Sequence, residues 1–405
     1  PIIITQKPCF ALRNTMNIKT SSQPSKLISA IAIAAFMSSC STPGGMNVKV
    51  SNPSEDARSG EIVEIPVADI AERLGNGYYA VLVDDEEIPS QVTYDSLLIF
   101  QADLAPKATA EYTIVVRDTL PAYDSKAQGR VYPERADDLA WENDIVGFRA
   151  YGPTTQRKGE RAYGYDIFFK YPDKGLVLEK LYGPETSPKT WQTVDSLRAI
   201  SNEQAEEYIN SISYHIDHGL GMDCYAVGPT LGDGVAARLV GDSIAFAWCY
   251  DEAEVLDNGP VRFTARLRFA PKDSITETRI ITLDAGKHLN ACTVSFDGLR
   301  DSTEIVAGVP RRDDSEAILA DNYIAYADPT QGPDNGKAML GVIVPDRTTT
   351  AEEREEHIVL RTAVAPGENF RYYFGFAWDR ADIADMHAWN DYLKNFKKSP
   401  LIISY

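Results

Sequence analysis

The sequence predicts a mainly β protein: a small β-sandwich followed by a larger body of antiparallel sheets packed face to face, with few helices. Three observations point there. Short runs of β-branched and aromatic residues recur through most of the chain. Clusters of Gly, Pro, Asn and Asp separate them at hairpin spacing. Stretches with apolar residues at helical spacing are rare. With 405 residues, 44% hydrophobic and 24% charged, the chain has room for roughly two or three domains and can bury a sizeable core. Forty Lys and Arg against 59 Asp and Glu leave a formal net charge of -19, which repels phosphate backbones, so no nucleic-acid partner is expected.

The first segment, 1–40, reads as a signal and anchor. Residues 1–15 precede Met16; after it come Lys19 and Lys26, an apolar run over 27–37, then Ser38, Ser39 and Cys40. That order is the pattern of a bacterial lipoprotein signal. The apolar run is far shorter than the roughly 20 residues that span a bilayer, so the expectation is an anchor through lipid on Cys40. The membrane is thereby one expected partner. The expected location is the cell envelope, in the periplasm or at the outer-membrane surface. Cys224, Cys249 and Cys292 are widely spaced and form no C-x-x-C pair, so they read as core residues with at most one pair bridged.

Strands are expected over 46–50, 61–66, 78–83, 97–100 and 111–117, which make 46–120 the small sandwich. The acidic run 84–87 lacks the alternating ligand spacing of a calcium loop and reads as a solvated turn. A polar stretch, 121–138, separates this unit from the body at 138–405. There the strand-like segments are 145–151, 165–170, 244–250, 261–269, 276–283, 291–297, 324–326, 339–344 and 370–378. Two helices are expected: 204–212 capped by Ser201, and a closing helix capped by Asp382 that carries Met386, Trp389, Tyr392, Leu393 and Phe396 on one face.

Polar chemistry concentrates in Y-H-I-D-H-G-L-G-M-D-C-Y-A-V-G-P-T-L-G-D-G, residues 214–234. Its glycines permit open turns and close approach to a ligand, and between them stand His215, Asp217, His218, Asp223 and Tyr225, the side-chain types that move protons and bind hydroxyls. His215, His218, Asp223 and Tyr225 are the candidate catalytic residues. The same residues also have an ordinary use in turns and caps. Mixed ligation by His215, Asp217, His218 and Asp223 matches no zinc spacing, so no resident metal or cofactor is expected, with calcium left open.

A second stretch, W-E-N-D-I-V-G-F-R-A-Y-G-P at 141–153, opens the large unit. On a strand, Arg149 and Tyr151 share a face, with Gly147 leaving room beside them. An arginine and an aromatic ring so placed can hold a carboxylate and stack on a sugar. Arg161, Tyr163, Tyr165, Asp166 and Lys170 repeat the mixture downstream. The candidate substrate-binding set is Trp141, Glu142, Asn143, Arg149, Tyr151, Arg161, Tyr165 and Asp166, lining a groove for an acidic glycan. Of the remaining histidines, His288 is expected in a turn, His357 on a solvated charged face within E-E-R-E-E-H, and His387 on the closing helix. The chain has no G-x-S-x-G elbow and no H-E-x-x-H helix.

These motifs, with N-P-S at 52–54, E-I-V-E-I-P at 61–66, D-N-G-P-V-R at 257–262 and I-T-L-D-A-G-K-H-L-N at 281–290, resemble domain of unknown function family 4861, bacterial lipoproteins similar to galactose-mutarotase-like proteins. The likeness covers nearly the whole chain after the signal. It implies a β-supersandwich fold, shared by sugar epimerases and by domains of polysaccharide lyases and glycoside hydrolases, and a setting in polysaccharide utilisation on pectin-like, uronate-bearing glycans. A mutarotase-like reaction would use His218 with Asp223 or Glu142; a lyase would use His215 or His218, Tyr225 and Arg149. The helical toroid domain that many such lyases carry is missing from the sequence pattern. The expectation is therefore a cell-envelope protein acting on acidic oligosaccharides by acid/base chemistry as a lyase, hydrolase or epimerase, with a non-catalytic glycan-binding lipoprotein as the alternative.

Overall fold

Alternating burial along the first strands shows how the small sandwich closes. The structure, a computed structural model, describes residues 44–332, 334–396 and 400–405, so Cys40 and the segment 1–40 lie outside the described residues. One sheet holds Met46–Ser51, Thr109–Arg117, Tyr78–Val83 and Glu86–Ile88, and a second holds Arg58–Pro66, Leu97–Leu104 and Ser90–Val92. Their inward residues, among them Val48, Val63, Ile65, Val81, Phe100 and Ile114, share one apolar core. Asp84 and Asp85 sit at φ 51° and 67°, the left-handed pair of a two-residue hairpin turn, so only the first half of the acidic run is turn; Glu86 and Glu87 begin the next strand, where Glu87 pairs with Arg117. Residues 138–405 do not all stay in the large body: Ile402–Ser404 returns to pair with Met46–Ser51 and forms an edge of the small sandwich.

The large sandwich is built on an eight-stranded antiparallel sheet. Its strands run in the order Glu252–Asp257, Arg262–Arg268, Thr276–Asp284, Leu289–Asp297, Phe370–Trp378, Ala338–Ile343, Tyr323–Asp328 and Ala317–Leu319. Two five-stranded sheets share its core. One runs Gly221–Met222, Tyr165–Lys170, Gly147–Ala150, Asp138–Asn143 and Ala127–Tyr132; the other is centred on Thr303–Pro310. The mainly β expectation holds. Part of the polar separator is itself a strand, Ala127–Tyr132, because Asp138–Asn143 supplies its ladder partner. Gly129 there lies under Trp141, and a Cβ would meet the Trp141 Cβ at 2.6 Å.

Trp141 packs against Phe148, Tyr165 and Phe263 with centroids 5.5, 5.7 and 6.1 Å away, and its indole donates to Asn290 Oδ1 at 2.8 Å. It is the centre of the core. Three helices, Leu178–Thr186, Pro188–Arg198 and Asn202–Ile212, follow Tyr165–Lys170; Val177, Leu178, Leu181 and Tyr182 from this excursion cluster with Tyr132, Ala140, Phe168 and Tyr214. Ser201 caps the third helix by accepting from the Gln204 amide. The closing helix is Met386–Lys394, and its cap is Asp385, which accepts from the Ala388 amide at 2.8 Å. Asp382, the expected cap, instead meets His288 Nε2 at 2.9 Å. Cys224, Cys249 and Cys292 are all free thiols.

Candidate functional site

The register between Gly147–Ala150 and Tyr165–Lys170 sets Arg149 directly opposite Asp166. Opposite residues of an antiparallel pair point to one face, so the two side chains meet. The Arg149 guanidinium bonds Asp166, donates to Asp223 Oδ2 at 2.9 Å and reaches the Tyr151 hydroxyl at 3.1 Å. Tyr151 in turn donates to Asp166 Oδ2 at 2.7 Å. Tyr182, from the helix Leu178–Thr186, comes within 3.5 Å of the guanidinium, and Phe168 lies beneath it. Arg149, Asp166 and Asp223 are all buried.

Asp223 is delivered by the glycine-rich loop. Gly221 and Met222 pair with Lys170 and Phe169, and Gly221 takes φ 105° with the Phe169 carbonyl where a Cβ would stand, so only glycine fits. The Asp223 amide donates to the Tyr214 carbonyl at 2.8 Å, which closes the loop on itself. His215 then lies over the opening: Nδ1 is 2.9 Å from the Asp223 main-chain oxygen and 3.7 Å from its Oδ2, while half of the side chain, 51%, faces solvent. Nδ1 is held inward, which leaves Nε2 as the nitrogen free for an outside proton. Arg135 stands close by, donating to the Tyr214 hydroxyl at 3.0 Å with about a third of its side chain exposed.

Electrostatics follow from burial. Burial pushes the Asp223 carboxyl up to about 6, with the neighbouring Asp166 charge adding to it and Arg149 and His215 opposing. Burial also disfavours the charged form of Arg149, but Asp166, Tyr151, Tyr182 and Asp223 override it and hold the guanidinium charged. Tyr151 is raised well above a free phenol, chiefly by burial. A buried carboxyl poised near 6 behind a half-exposed imidazole is an arrangement suited to proton transfer near neutral pH.

The remaining candidates fall elsewhere. His218 is exposed and takes no hydrogen-bond partner among the described residues. Asp217 is a turn residue, accepting from the Gly219 and Gly221 amides at 2.8 and 3.1 Å and from Tyr171 at 2.7 Å. Tyr225 is buried beside Arg312. Tyr165 points to the opposite face from Asp166 and stacks on Phe374 in the core, as the two-residue period requires. Glu142 is buried in an ion pair with Lys170. Asn143 binds the Asp284 and Lys287 carbonyls and the Ile145 and Val146 amides, a structural role. Arg161 is exposed. His288 is buried between Asp382 and the Phe376 carbonyl. His357, expected in solvent, is buried and accepts from the Leu231 amide at 3.1 Å, because Glu355 and Glu356 make a left-handed turn that starts an inward strand at His357. His387 is exposed on the closing helix, 3.6 Å from Asp391.

Sequence reasoning missed Tyr182 and Arg135, since only the fold carries them to Arg149 and Tyr214. It also missed Arg380, an exposed guanidinium over the Trp378 ring; Asp217 nearby is lowered against burial by its bonds from Tyr171 and from the Gly219 and Gly221 amides, with the Arg380 charge adding a smaller share. Among the described residues no three His, Cys, Asp or Glu side chains group as metal ligands.

Two similarities to known proteins accompany this geometry. The chain is 25% identical over 407 residues to "Uncharacterized protein P7" of Formosa agariphila, covering 92% of this chain and 97% of that protein. A solved protein of glycosyl hydrolase family 38 from Enterococcus faecalis superposes with a TM-score of 0.46 at 8% identity, over 89% of this chain and 47% of the other, so this chain spans about half its length. Residues 50–400 match the family described as "Domain of unknown function (DUF4861)", and the chain belongs to that family.

Proposed function

We propose that this protein is a cell-envelope carbohydrate-active enzyme that works on acidic, uronate-bearing oligosaccharides by acid/base chemistry at His215, with a lipid on Cys40 as its membrane anchor. One observation carries this reading: the half-exposed His215 ring is backed by Asp223, whose buried carboxyl is pushed up to about 6. With Nδ1–H donating to the Asp223 carbonyl, Nε2 is the base. The Asp223 carboxylate, 3.7 Å from Nδ1, favours the imidazolium that forms. Arg149 is spent between Asp166 and Asp223 and serves as a positioning residue. Arg135 and Arg380 are cations in this part of the molecule with exposure to meet a substrate carboxylate.

A second reading is a non-catalytic glycan-binding lipoprotein. It is favoured by the internal pairing of Arg149, Asp166 and Asp223, which leaves His215 as the exposed member of the network. The test incubates the full, detergent-solubilised chain with neutral and uronate-bearing oligosaccharides, following products by chromatography and new double bonds by ultraviolet absorbance. The expected outcome is turnover of uronate-bearing chains that falls about 100-fold or more in His215→Ala. Absorbance separates a lyase from a hydrolase or epimerase. Binding without turnover would favour the second reading.

A further inference from the structure

A cleft of about 940 Å³ lies away from His215, between the small sandwich, the outer face of the eight-stranded sheet and the closing helix. That volume is at the upper end of the roughly 300–1,000 Å³ of small-ligand sites. Its floor comes from alternate residues of adjacent strands. Ile280 and Thr282 on one strand and Ala291 and Thr293 on the next are half-buried, while Ile281, Cys292 and Val294 between them point into the core. Ala291 stands opposite Thr282 and Tyr373, and so small a floor leaves a trough along the sheet.

The walls are held rigidly. Gln91 accepts from the Val261 and Arg262 amides and donates to the Arg262 carbonyl; Gln101 donates to the Ala285 carbonyl; and Arg262 bridges Glu64 and Asp284. A trough fixed in advance loses little entropy when a ligand enters.

The groups left over describe the ligand. Tyr94 exposes 46% of its surface at one wall. Tyr373 lies under the Arg371 guanidinium at 5.5 Å, and Arg371 takes no carboxylate partner among the described residues. Glu61 is half-buried with no hydrogen-bond partner among the described residues, and Asn395 faces the cleft from the end of the closing helix. Carboxylate, amide and guanidinium groups beside aromatic rings are the chemistry that takes sugar hydroxyls at their edges and sugar rings by their apolar faces. The charged groups lining the cleft are Glu61, Glu64, Asp95, Asp284 and Asp391 against Arg262, Lys287 and Arg371, an acidic excess that disfavours a uronate.

We propose that this cleft is a second carbohydrate site that binds an uncharged oligosaccharide segment, separate from the His215 site and independent of any reaction there. Isothermal titration of the full, detergent-solubilised chain with neutral gluco-, manno-, galacto- and xylo-oligosaccharides, and with uronate-bearing chains of the same length, tests it. At least one neutral chain should bind, with affinity about tenfold or more weaker in Tyr94→Ala and in Ala291→Arg, which fills the floor, and unchanged in His215→Ala. Tyr94→Ala removes an exposed ring and should leave the melting temperature unchanged, so it decides the matter if Ala291→Arg does not fold. No binding of any neutral chain, preference for the uronate-bearing chain, or binding unaffected by Tyr94→Ala would each overturn the proposal. Loss of binding in His215→Ala would move the sugar to the other site.

Discussion

Asp223 shows how one residue links stability to the site. Its folded pKa, about 6, lies above the roughly 3.9 of a free aspartate, so the folded state holds this proton more tightly than the unfolded chain does. The stability it contributes is therefore fully present below about pH 4 and is lost as pH rises to about 6. Asparagine mimics the protonated acid. Asp223→Asn should then be about 2–3 kcal/mol more stable than the natural chain at pH 7, with the gap closing near pH 4, as denaturant midpoints at the two pH values will show. An equal gap at both would mean the carboxyl is not held high by burial. The pairing of Arg149 with Tyr151 was legible in the sequence because i and i+2 share a strand face. Asp166 opposite Arg149 was not, since register belongs to two strands at once. Tyr165 could have been placed correctly from the same alternation that placed Tyr151, because it is next to Asp166 and must face away.

Secondary-structure elements were read unevenly, and the reason is local. The observed strands Tyr78–Val83, Tyr165–Lys170 and Phe370–Trp378 coincide with their expected spans, since alternation and turn residues mark their ends. The helices Leu178–Thr186 and Pro188–Arg198 went unseen: Gly183, Pro184 and Pro188 interrupt the segment, and Leu178, Leu181, Tyr182 and Val194 give too thin an apolar stripe. The start of the first of these helices instead depends on a distant residue. Glu142 accepts from the Val177 amide at 2.8 Å and the Leu178 amide at 2.9 Å, supplying the carboxylate that a helix N-terminus favours, and it also pairs with Lys170, which donates to the Asn143 carbonyl at 2.5 Å. Burial lowers the Lys170 pKa while Glu142 opposes it. Glu142→Gln keeps the shape but leaves a buried cation unpaired, and should cost about 3–5 kcal/mol in denaturant unfolding. Adding Lys170→Met should recover a large part of that loss. If the double variant lost as much as the sum of its parts, the pair would not be coupled.

At the scale of the molecule, the two sandwiches have separate apolar cores, one over 46–114 with Leu401 and Ile403, the other spanning 127–378. Several polar ties join them. Gln91 takes the place of a missing strand neighbour by satisfying the amides of Val261 and Arg262 at 3.2 and 2.9 Å and the Arg262 carbonyl at 2.9 Å. Asp257 accepts from the Tyr94 amide at 2.8 Å, and the Arg262 side chain ties Glu64 to Asp284. Each of the Gln91 and Asp257 bonds lost here strands a partly buried backbone group, at about 1–3 kcal/mol apiece. Because the two apolar cores are separate, removing these ties should divide unfolding rather than merely lower its midpoint. The variant Gln91→Ala with Arg262→Ala should turn one calorimetric transition into two, the small sandwich melting first. Hydrogen exchange should rise in the strands Arg58–Pro66 and Leu97–Leu104 while the amides around Arg149 and Asp166 stay protected. A single transition displaced as a whole would mean that the cores communicate through the sheet itself, and that the cleft between them is not opened by loosening these ties.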